Sequence, residues 1–258
     1  EKDDMAIEQG SSAMRIVIAG GGIAGLALAL ALKQGLGADF SVILADPALT
    51  DGVIDVIVSD PGEWWVGAHR HAPGTCPHPG ARPPLVLPVE APSRAWLKLE
   101  EALLFSGAVL RPGDTAVEVG SSPGGASWAL LNRGVSVWGI DPAVMDPRVL
   151  SFCGPSRFVH LHRSIASVQR RDLPRVVDWL FIDVNEGPGL TLPMVERLVP
   201  ELSPGLRGVF LTVKANKPDV ADRVPALRER FARLGLRDVL SAQLSFHHRE
   251  FLLAGATR

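Results

Sequence analysis

Cysteine is scarce in this sequence, and its two occurrences are far apart. Among 258 residues only Cys76 and Cys153 are cysteines, and they lie in separate segments with no metal-binding spacing. This usage fits a reducing compartment better than a disulfide scaffold. We interpret both residues as ordinary buried or loop cysteines.

The sequence also lacks an excess of basic residues. Lys and Arg number 26 against 28 Asp and Glu, which gives a formal net charge of −2. Many nucleic-acid-binding proteins carry a global positive field, and this composition excludes one. Any contact with nucleic acid must therefore come from a local basic patch.

Long apolar runs are rare as well. The one between about Ile16 and Leu32 could be mistaken for a secretory signal or a membrane span. Gly20-Gly21-Gly22 interrupts it after a strand-like Ile16-Val17-Ile18, which indicates strand, turn and helix. We therefore predict no membrane segment and a cytoplasmic location.

What the chain does contain is enough apolar sequence for a large core, with 47% hydrophobic and 21% charged residues. Its texture predicts a disordered tail over 1–13 and a β-α-β unit resembling a dinucleotide-binding fragment over 14–50. One strand and a Pro/Gly/His-rich linker follow over 51–90, and a regular domain occupies 91–258.

Strands and helices alternate along 91–258, and the strands are continuously apolar. This pattern favours an α/β fold with a mainly parallel sheet covered by helices on both faces. The predicted helices cover 93–105, 126–133, 192–198 and 220–234, and the predicted strands cover 115–119, 135–140, 158–161, 179–183, 208–213, 238–242 and 250–254.

A glycine-rich turn follows the first of these strands and opens a helix. Such turns let a ligand approach the backbone closely, at the sheet edge where α/β proteins bind nucleoside-type ligands. Asp141 ends the next strand and can accept both hydroxyls of a ribose. The alternative is that the turn is structural and Asp141-Pro142 only opens a loop. The predicted cofactor-binding residues are Glu118, Gly120, Ser122, Pro123, Gly124, Gly125 and Asp141.

Five ordered motifs carry a family resemblance: the string from Ala91 to Ala102, Glu118-Val-Gly-Ser-Ser-Pro-Gly-Gly125, Ile182-Asp183, Val213-Lys214 and Arg249-Glu250. Together they resemble the FtsJ-type RNA ribose 2′-O-methyltransferases, and within them the RlmM-like branch. The resemblance covers roughly Val53 to Arg258. It implies a Rossmann-like methyltransferase domain with S-adenosylmethionine as cofactor, and it implies methylation of a cytidine ribose in 23S ribosomal RNA.

The resemblance also implies a catalytic tetrad, Lys98, Asp183, Lys214 and Glu250, and no metal. Methyl transfer to a hydroxyl is an in-line displacement, so a base must take the hydroxyl proton. If Lys214 is that base, burial or a neighbouring cation such as Lys98 must lower its pKa. The alternative for each residue is a surface salt bridge at a strand end.

Basic and aromatic residues outside the tetrad are candidates for RNA contact, although each could equally be a solvated charge or a buried ring. We expect the adjacent His247 and His248 to point to opposite faces and to contact solvent or RNA rather than a metal. The other candidates are Trp64, Trp65, Arg70, His71, Arg94, Trp96, Arg163, Arg170, Arg171, Arg175 and Arg249.

The segment from Met14 to Asp46 resembles the first unit of flavin-dependent hydroxylases, with glycines in a Gly-x-Gly-x-x-Gly pattern. The sequence abandons that pattern soon after Asp46. Residues from Val53 to Leu87 resemble the end of an RNA-binding THUMP region, which implies a fused or replaced segment ahead of it. Two alternative functions follow: a non-catalytic RNA- or cofactor-binding module, and a dinucleotide-dependent oxidoreductase.

Overall fold

The computed structural model describes residues 82–152, 156–202, 204–217 and 219–257 with their side chains. Before Arg82 it describes the backbone of five strands. The chain divides into two compact units, Glu1–Pro84 and Leu85–Arg258, and each is described by itself.

Two small sheets lie in the first unit. Strands β1 (Ile7–Glu8), β2 (Met14–Ala19) and β3 (Phe40–Ala45) form one of them, in that order. Strands β2 and β3 pair in parallel, as the β-α-β prediction requires, while the glycine turn and helix between them lie outside the described residues. Within the expected disordered tail over 1–13, the two residues of β1 pair antiparallel with β2, and the rest of that range lies outside the described residues.

The second small sheet is a hairpin of β4 (Val53–Asp60) and β5 (Glu63–His69). Only one strand was expected between 51 and 90, so this prediction was incomplete. Pro61-Gly62 lies between the two strands in the sequence and is a recognised turn signal. That dipeptide could have identified the second strand.

A seven-stranded sheet forms the centre of the second unit. Its spatial order is β11-β12-β10-β9-β6-β7-β8, and every neighbouring pair is parallel except the two made by β12. These strands are β6 (Thr115–Val119), β7 (Ser136–Ile140), β8 (Phe158–Leu161), β9 (Trp179–Ile182), β10 (Gly208–Lys214), β11 (Arg237–Ala242) and β12 (Glu250–Ala256).

Helices connect these strands and cover both faces of the sheet. The α-helices are α1 (Ala95–Ser106), α2 (Gly125–Asn132), α3 (Pro147–Leu150), α4 (Pro188–Leu202), α5 (Asp219–Asp222) and α6 (Val224–Ala232), with short 3-10 turns at Ile165–Ser167 and Arg170–Asp172. The expected single helix over 220–234 is divided into α5 and α6. Pro225 lies in the first turn of α6, where its missing N–H costs least, and it could not continue α5.

Side chains alternate between the two faces along each strand, as the pleat of a β-strand requires. On β9, Trp179 and Phe181 pack with α1 and α2, whereas Leu180 and Ile182 pack with α4 and α6. The sheet therefore separates two cores. We call the face that packs against α1 and α2 the α1 face.

The strand order reverses between β6 and β9, because the chain passes from β6 to β7 and β8 before returning to β9 on the other side of β6. Ligands of open α/β sheets bind outside the carboxyl ends of the strands at such a point. Gly120 follows β6 and Asp183 follows β9, so both lie at this position. Among the described residues, no helix combines the length and hydropathy needed to span a bilayer.

Candidate active site

Three charged side chains lie together at one edge of the sheet. Asp183 directly follows β9, Lys214 ends β10 and Glu250 begins β12, which pairs antiparallel with β10 so that Lys214 and Glu250 are register partners. Alternation places them on the α1 face, in line with Phe181, Phe210 and Leu252 of the same strands. The fold brings these three groups together although Lys214 is 31 positions from Asp183 and 36 positions from Glu250 in the sequence.

Lys98 reaches the same place from α1. The helix packs on the α1 face through Leu99, Ala102 and Leu103, which directs the polar side of its first turns to the strand ends. The Lys98 Nζ lies 3.1 Å from Asp183 Oδ2 and 2.5 Å from Glu250 Oε1. All four residues of the expected tetrad therefore meet.

The tetrad forms a closed ring of ion pairs. Lys214 Nζ lies 2.8 Å from Asp183 Oδ1 and 2.5 Å from Glu250 Oε2, so each lysine contacts both carboxylates and each carboxylate gives one oxygen to each lysine. The Lys98 and Asp183 side chains remain 22% and 28% exposed, whereas those of Lys214 and Glu250 are 10% and 5% exposed. A substrate would therefore approach from the Lys98–Asp183 side.

The pKa of Lys214 departs from its ordinary value in the direction opposite to the one expected from the sequence. Burial of the ammonium acts to lower its pKa, but the charges and hydrogen bonds of Asp183 and Glu250 outweigh burial and raise it. The free protein therefore lacks the lowered pKa that a base role for Lys214 would require, because the ring places two carboxylates against its ammonium. Lys214 is an ammonium in the free protein.

Glu250 shows the complementary effect. Burial acts to raise the pKa of its carboxyl, yet hydrogen bonds from Lys214 and Lys98, together with their charges, hold the pKa below its ordinary value. The ring thus contains two cations and two anions. Its net charge is zero, and each charged group contacts two groups of the opposite sign.

Gly120 joins the tetrad to the glycine-rich turn. Its φ of +82° lies in the left-handed region, and a Cβ at this position would lie 2.2 Å from the backbone oxygen of Asp183. Only glycine allows β6 and β9 to approach this closely where the strand order reverses. The turn and the tetrad are therefore parts of one crevice.

Gly124 and Gly125 contact protein rather than open space. At Gly124, where φ is +112°, a Cβ would meet Met145 and Val149 at 2.6 Å, and at Gly125 it would meet Ser93 at the start of α1. A valine at Gly124 would therefore displace the packing between the turn and α3 as well as narrow the approach of a ligand to the turn.

Asp141 lies across the crevice from Gly120, at the end of β7. Its two carboxylate oxygens accept backbone N–H groups of Ser122, at 3.1 Å, and Ala143, at 2.7 Å. The Ser122 hydroxyl donates to the Val144 carbonyl at 2.6 Å, and Pro123 is exposed beside it. The backbone thus fixes the orientation of Asp141 and leaves further lone pairs of the half-exposed carboxylate for a ligand.

Glu118 is the register partner of Phe181, two residues before Asp183, and is only 4% exposed. Burial raises its pKa from an ordinary 4.5 to about 8, although the hydrogen bond from the Ser127 hydroxyl acts to lower it. The carboxyl is therefore protonated at neutral pH in the free protein. It lines a small pocket that also contacts Lys98, Asp183, Thr212 and His247.

The two adjacent histidines do point in opposite directions, but only one meets solvent. His247 is 6% exposed, and its Nδ1 accepts the backbone N–H of Leu244 at 3.3 Å. Solvent or RNA contact by His247 was therefore a wrong expectation, because the turn over 244–247 folds its ring inward. His248 is exposed and lies 3.0 Å from the guanidinium of Arg94.

Comparison with known proteins matches part of this site to a family. Residues 91–196 match the family model of the FtsJ-like methyltransferases. The matched range contains the turn, Asp141 and two tetrad residues, Lys98 and Asp183. The chain carries an FtsJ-like methyltransferase domain. Lys214 and Glu250 lie beyond the matched range, and the fold brings them to it.

Curated relatives resemble the chain over the same domain. Ribosomal RNA large subunit methyltransferase M of Laribacter hongkongensis is 33% identical over 175 residues, which cover 64% of this chain and 48% of that protein. The protein of the same name from Methylococcus capsulatus is 32% identical over 188 residues, covering 68% and 50%. The chain thus spans about half the length of the curated relatives it matches.

A solved structure from Lactococcus lactis shares the fold, with a TM-score of 0.52 and 18% identity over 66% of this chain and 90% of that one. Together with the sheet order, these comparisons confirm the expected Rossmann-like methyltransferase fold and the family resemblance. The FtsJ-like domain is the α/β domain predicted from the sequence.

Several residues that we expected to contact RNA make contacts within the domain. Arg170 donates to backbone carbonyls, including those of Pro174 and Glu201, and Arg163 pairs with Asp172 at 2.9 Å. Arg171 and Arg175 are exposed, and Trp96 packs partly against the core. Arg70 and His71 lie outside the described residues, as do the side chains of Trp64 and Trp65.

Sequence reasoning missed two polar residues that support the site. Ser127 provides the hydroxyl that Glu118 binds, and Glu101 contacts the segment leading to Glu250. Glu101 follows Lys98 by three positions, so both lie on the same side of α1. This three-residue spacing was the feature of the sequence that could have identified Glu101.

Proposed function

We propose that this protein transfers a methyl group from S-adenosylmethionine to a ribose 2′-hydroxyl in RNA, and that the acceptor is a cytidine of 23S ribosomal RNA. The observation that carries the proposal is the closed ring of Lys98, Asp183, Lys214 and Glu250 beside the glycine-rich turn. The RNA class follows the names of the relatives, which concern the large ribosomal subunit.

The residues around the turn fit the cofactor. Asp141 would accept the ribose hydroxyls of S-adenosylmethionine through the lone pairs that Ser122 and Ala143 leave free. The backbone of Gly120, Ser122 and Pro123 would line the adenosine path, while Gly124 and Gly125 hold the turn in shape. Glu118 would lie beneath it, beside the tetrad. When bound, the cofactor supplies an electrophilic methyl group on a cationic sulfur.

The ring suggests how the chain's own residues handle the hydroxyl. An ammonium has three N–H donors, and Lys214 uses two of them for Asp183 and Glu250. The third would hold a lone pair of the ribose 2′-oxygen and so orient the oxygen toward the methyl group. Lys214 would thus remain protonated, in contrast to the base role expected from the sequence.

Asp183 is then the acceptor of the hydroxyl proton. It is the more exposed of the two ring carboxylates and lies on the side that a substrate would approach. Bond formation to carbon makes the hydroxyl proton strongly acidic, so a carboxylate is basic enough to remove it late in the transfer. Lys98 and Glu250 would hold Asp183 and Lys214 in place.

RNA would be guided to the ring by exposed groups beside it. Arg94 directly precedes α1 and its guanidinium meets His248, two residues before Glu250. Arg249 is also exposed. Phosphate groups of RNA bind Arg readily, and these side chains form the local basic patch that a chain of net charge −2 requires.

The direct test is transfer of labelled methyl from S-adenosylmethionine to unmodified 23S RNA transcribed in vitro and to large ribosomal subunits. We expect incorporation at one nucleotide, which can be mapped. An RNA carrying 2′-deoxycytidine at that nucleotide provides the matched control and should accept no methyl group. Incorporation into the deoxy substrate would show that a base, not the ribose, is methylated.

The same preparation separates the alternative functions. A non-catalytic binding module would bind S-adenosylhomocysteine or RNA in calorimetry and transfer nothing to either substrate. A dinucleotide-dependent oxidoreductase would copurify with flavin, which its absorption spectrum reveals. We expect no flavin, and we expect Gly22→Ala to leave methyl transfer intact.

A further inference from the structure

Glu101 makes an unusual contact for a helix side chain. It lies on α1, is only 3% exposed, and its two carboxylate oxygens accept consecutive backbone N–H groups, from Ser245 at 2.8 Å and from Phe246 at 3.0 Å. These residues are 144 and 145 positions away in the sequence. One side chain thus attaches α1 to the loop over 243–249.

This loop delivers Glu250 to the tetrad. It ends in Arg249, whose φ of +48° lies in the left-handed region that non-glycine residues rarely adopt. The Arg249 carbonyl accepts the N–H of Ala215, directly after Lys214, at 2.7 Å. A strained residue at this place persists only if the surrounding structure holds the loop from outside.

Glu101 also follows Lys98 by one helical turn, so both residues lie on the same side of α1. Lys98 contacts Glu250 directly, and Glu101 holds the backbone four and five residues before Glu250. Helix α1 therefore fixes the position of Glu250 by two contacts, one from Lys98 to its side chain and one from Glu101 to the preceding backbone.

We propose that Glu101 is a positioning residue of the methyltransferase: by holding the Ser245 and Phe246 amides it fixes Glu250, and through it the ring around Lys214. This inference rests on the proposed function. Among the side chains that the structure describes, Glu101 makes no hydrogen bond or ion pair with the glycine-rich turn or the ring, and its hydrogen bonds go to the 243–249 loop.

The test is Glu101→Gln, which keeps the shape but replaces one acceptor oxygen with an NH₂ group that cannot accept the second amide. Small displacements of reacting groups can cost up to about 10²-fold in rate. We expect kcat for RNA methylation to fall by about tenfold or more, while KM for S-adenosylmethionine stays within about twofold.

The matched control is Glu100→Gln, on the same helix. Glu100 is also buried and pairs with Arg133, away from the loop and the ring. Both variants should lose thermal stability, but only Glu101→Gln should lose kcat. An equal loss of kcat in the two variants would show that α1 matters only for stability and would overturn the proposal.

A readout without activity separates this proposal from the proposed function. Lys98 and Lys214 hold the pKa of Glu250 below its ordinary value, so moving Glu250 away from them should raise that pKa. A carboxyl NMR titration should therefore show a higher Glu250 pKa in Glu101→Gln than in wild type, and an unchanged one in Glu100→Gln. If wild-type protein methylates no RNA but the titration shows this difference, the positioning role stands and the proposed function fails. An unmoved Glu250 pKa in Glu101→Gln overturns the positioning role.

If Glu101→Gln does not fold, Glu101→Asp provides the second variant. It retains the charge but is one methylene too short to reach both amides at their present distances. We expect the same direction of change in kcat and in the Glu250 pKa, with amide hydrogen exchange at Ser245 and Phe246 accelerated. Wild-type kcat together with accelerated exchange would overturn the proposal.

Discussion

Glu118 and Glu250 are two glutamates of the same sheet face with nearly the same burial, and their carboxyls differ in charge. They are 4% and 5% exposed. Burial raises the pKa of Glu118 to about 8, whereas hydrogen bonds from Lys214 and Lys98 overcome burial and hold the pKa of Glu250 below its ordinary value. One is neutral at pH 7 and the other is an anion.

The difference shows that two ammonium partners can outweigh the burial of a carboxyl, whereas a single hydroxyl does not. Glu250 meets two ammonium groups, while Glu118 meets one hydroxyl, from Ser127, and the negative charges of Asp183 and Asp141 at a greater distance. The crevice thus has a paired, ionic side at the tetrad and a neutral side beneath the glycine-rich turn. Four predictions test this division.

The largest effect is expected from removing the ionic side. Lys214→Ala and Asp183→Ala should each abolish methyl transfer to RNA, because they remove the groups that orient the hydroxyl and take its proton. S-adenosylhomocysteine should still bind, since Asp141 and the turn hold the nucleoside. Radiolabel transfer and calorimetry measure the two properties separately.

Lys217→Ala is the matched control for Lys214→Ala. Lys217 is an exposed lysine three residues further along the chain, and we expect its loss to leave transfer unchanged. Loss of cofactor binding in Lys214→Ala would instead show that the two sides of the crevice are not separable.

The same substitution at the two glutamates should have opposite consequences for stability. Glu250→Gln leaves the buried Lys214 and the half-buried Lys98 with one carboxylate, and removing one partner of a buried ion pair costs about 3–5 kcal/mol. We expect the lower part of this range, because Asp183 still pairs with both lysines and Lys98 is partly exposed. Glu118→Gln should leave the free energy of unfolding unchanged or raise it at pH 7, since an amide resembles the neutral acid. Denaturant unfolding of both variants tests the contrast, and similar losses would contradict the assigned charges.

The neutral side should also give the protein a pH-dependent stability. Because the pKa of Glu118 is raised from 4.5 to about 8 on folding, the folded protein binds more protons than the unfolded chain between these values. Its contribution to stability is therefore lost as pH rises from about 4.5 to about 8. We expect the Tm of Glu118→Gln to exceed that of wild type increasingly over this interval. A difference that does not change with pH would mean that Glu118 is ionised in the folded protein.

The sequence predicted which residues end the strands better than it predicted the pKa shifts of those residues. Continuous apolar strands ending in Asp183 and Lys214 predicted the sheet and the meeting of these residues, because parallel strands share one carboxyl edge. The pKa direction of Lys214 was not predicted, since it depends on how closely Asp183, and then Glu250, approach its ammonium in the folded protein. Charges that meet only in the folded state leave no local pattern.

The same limit applies to the turn and the loop. The glycines predicted that another group approaches the backbone of the turn closely, but not which group. In the structure Gly124 contacts Met145 and Val149, and Gly120 contacts the Asp183 carbonyl. The inward turn of His247 likewise depends on a loop whose anchor, Glu101, lies on a distant helix. His247 is buried and His248 is exposed, and the sequence could not assign which of the two would be buried.

The smallest expected effect is the absence of an alkaline rise in activity. Two carboxylates raise the pKa of Lys214 above its ordinary value, so a mechanism that needs the neutral amine would make single-turnover kcat/KM rise about tenfold per pH unit between pH 6 and 9. If Lys214 instead works as an ammonium and Asp183 takes the proton, kcat/KM should be nearly constant over that range. Lys214→Arg cannot decide the question, because a planar guanidinium fits neither role in so buried a ring. A tenfold rise per pH unit would restore Lys214 as the base and would require the bound cofactor to displace its proton.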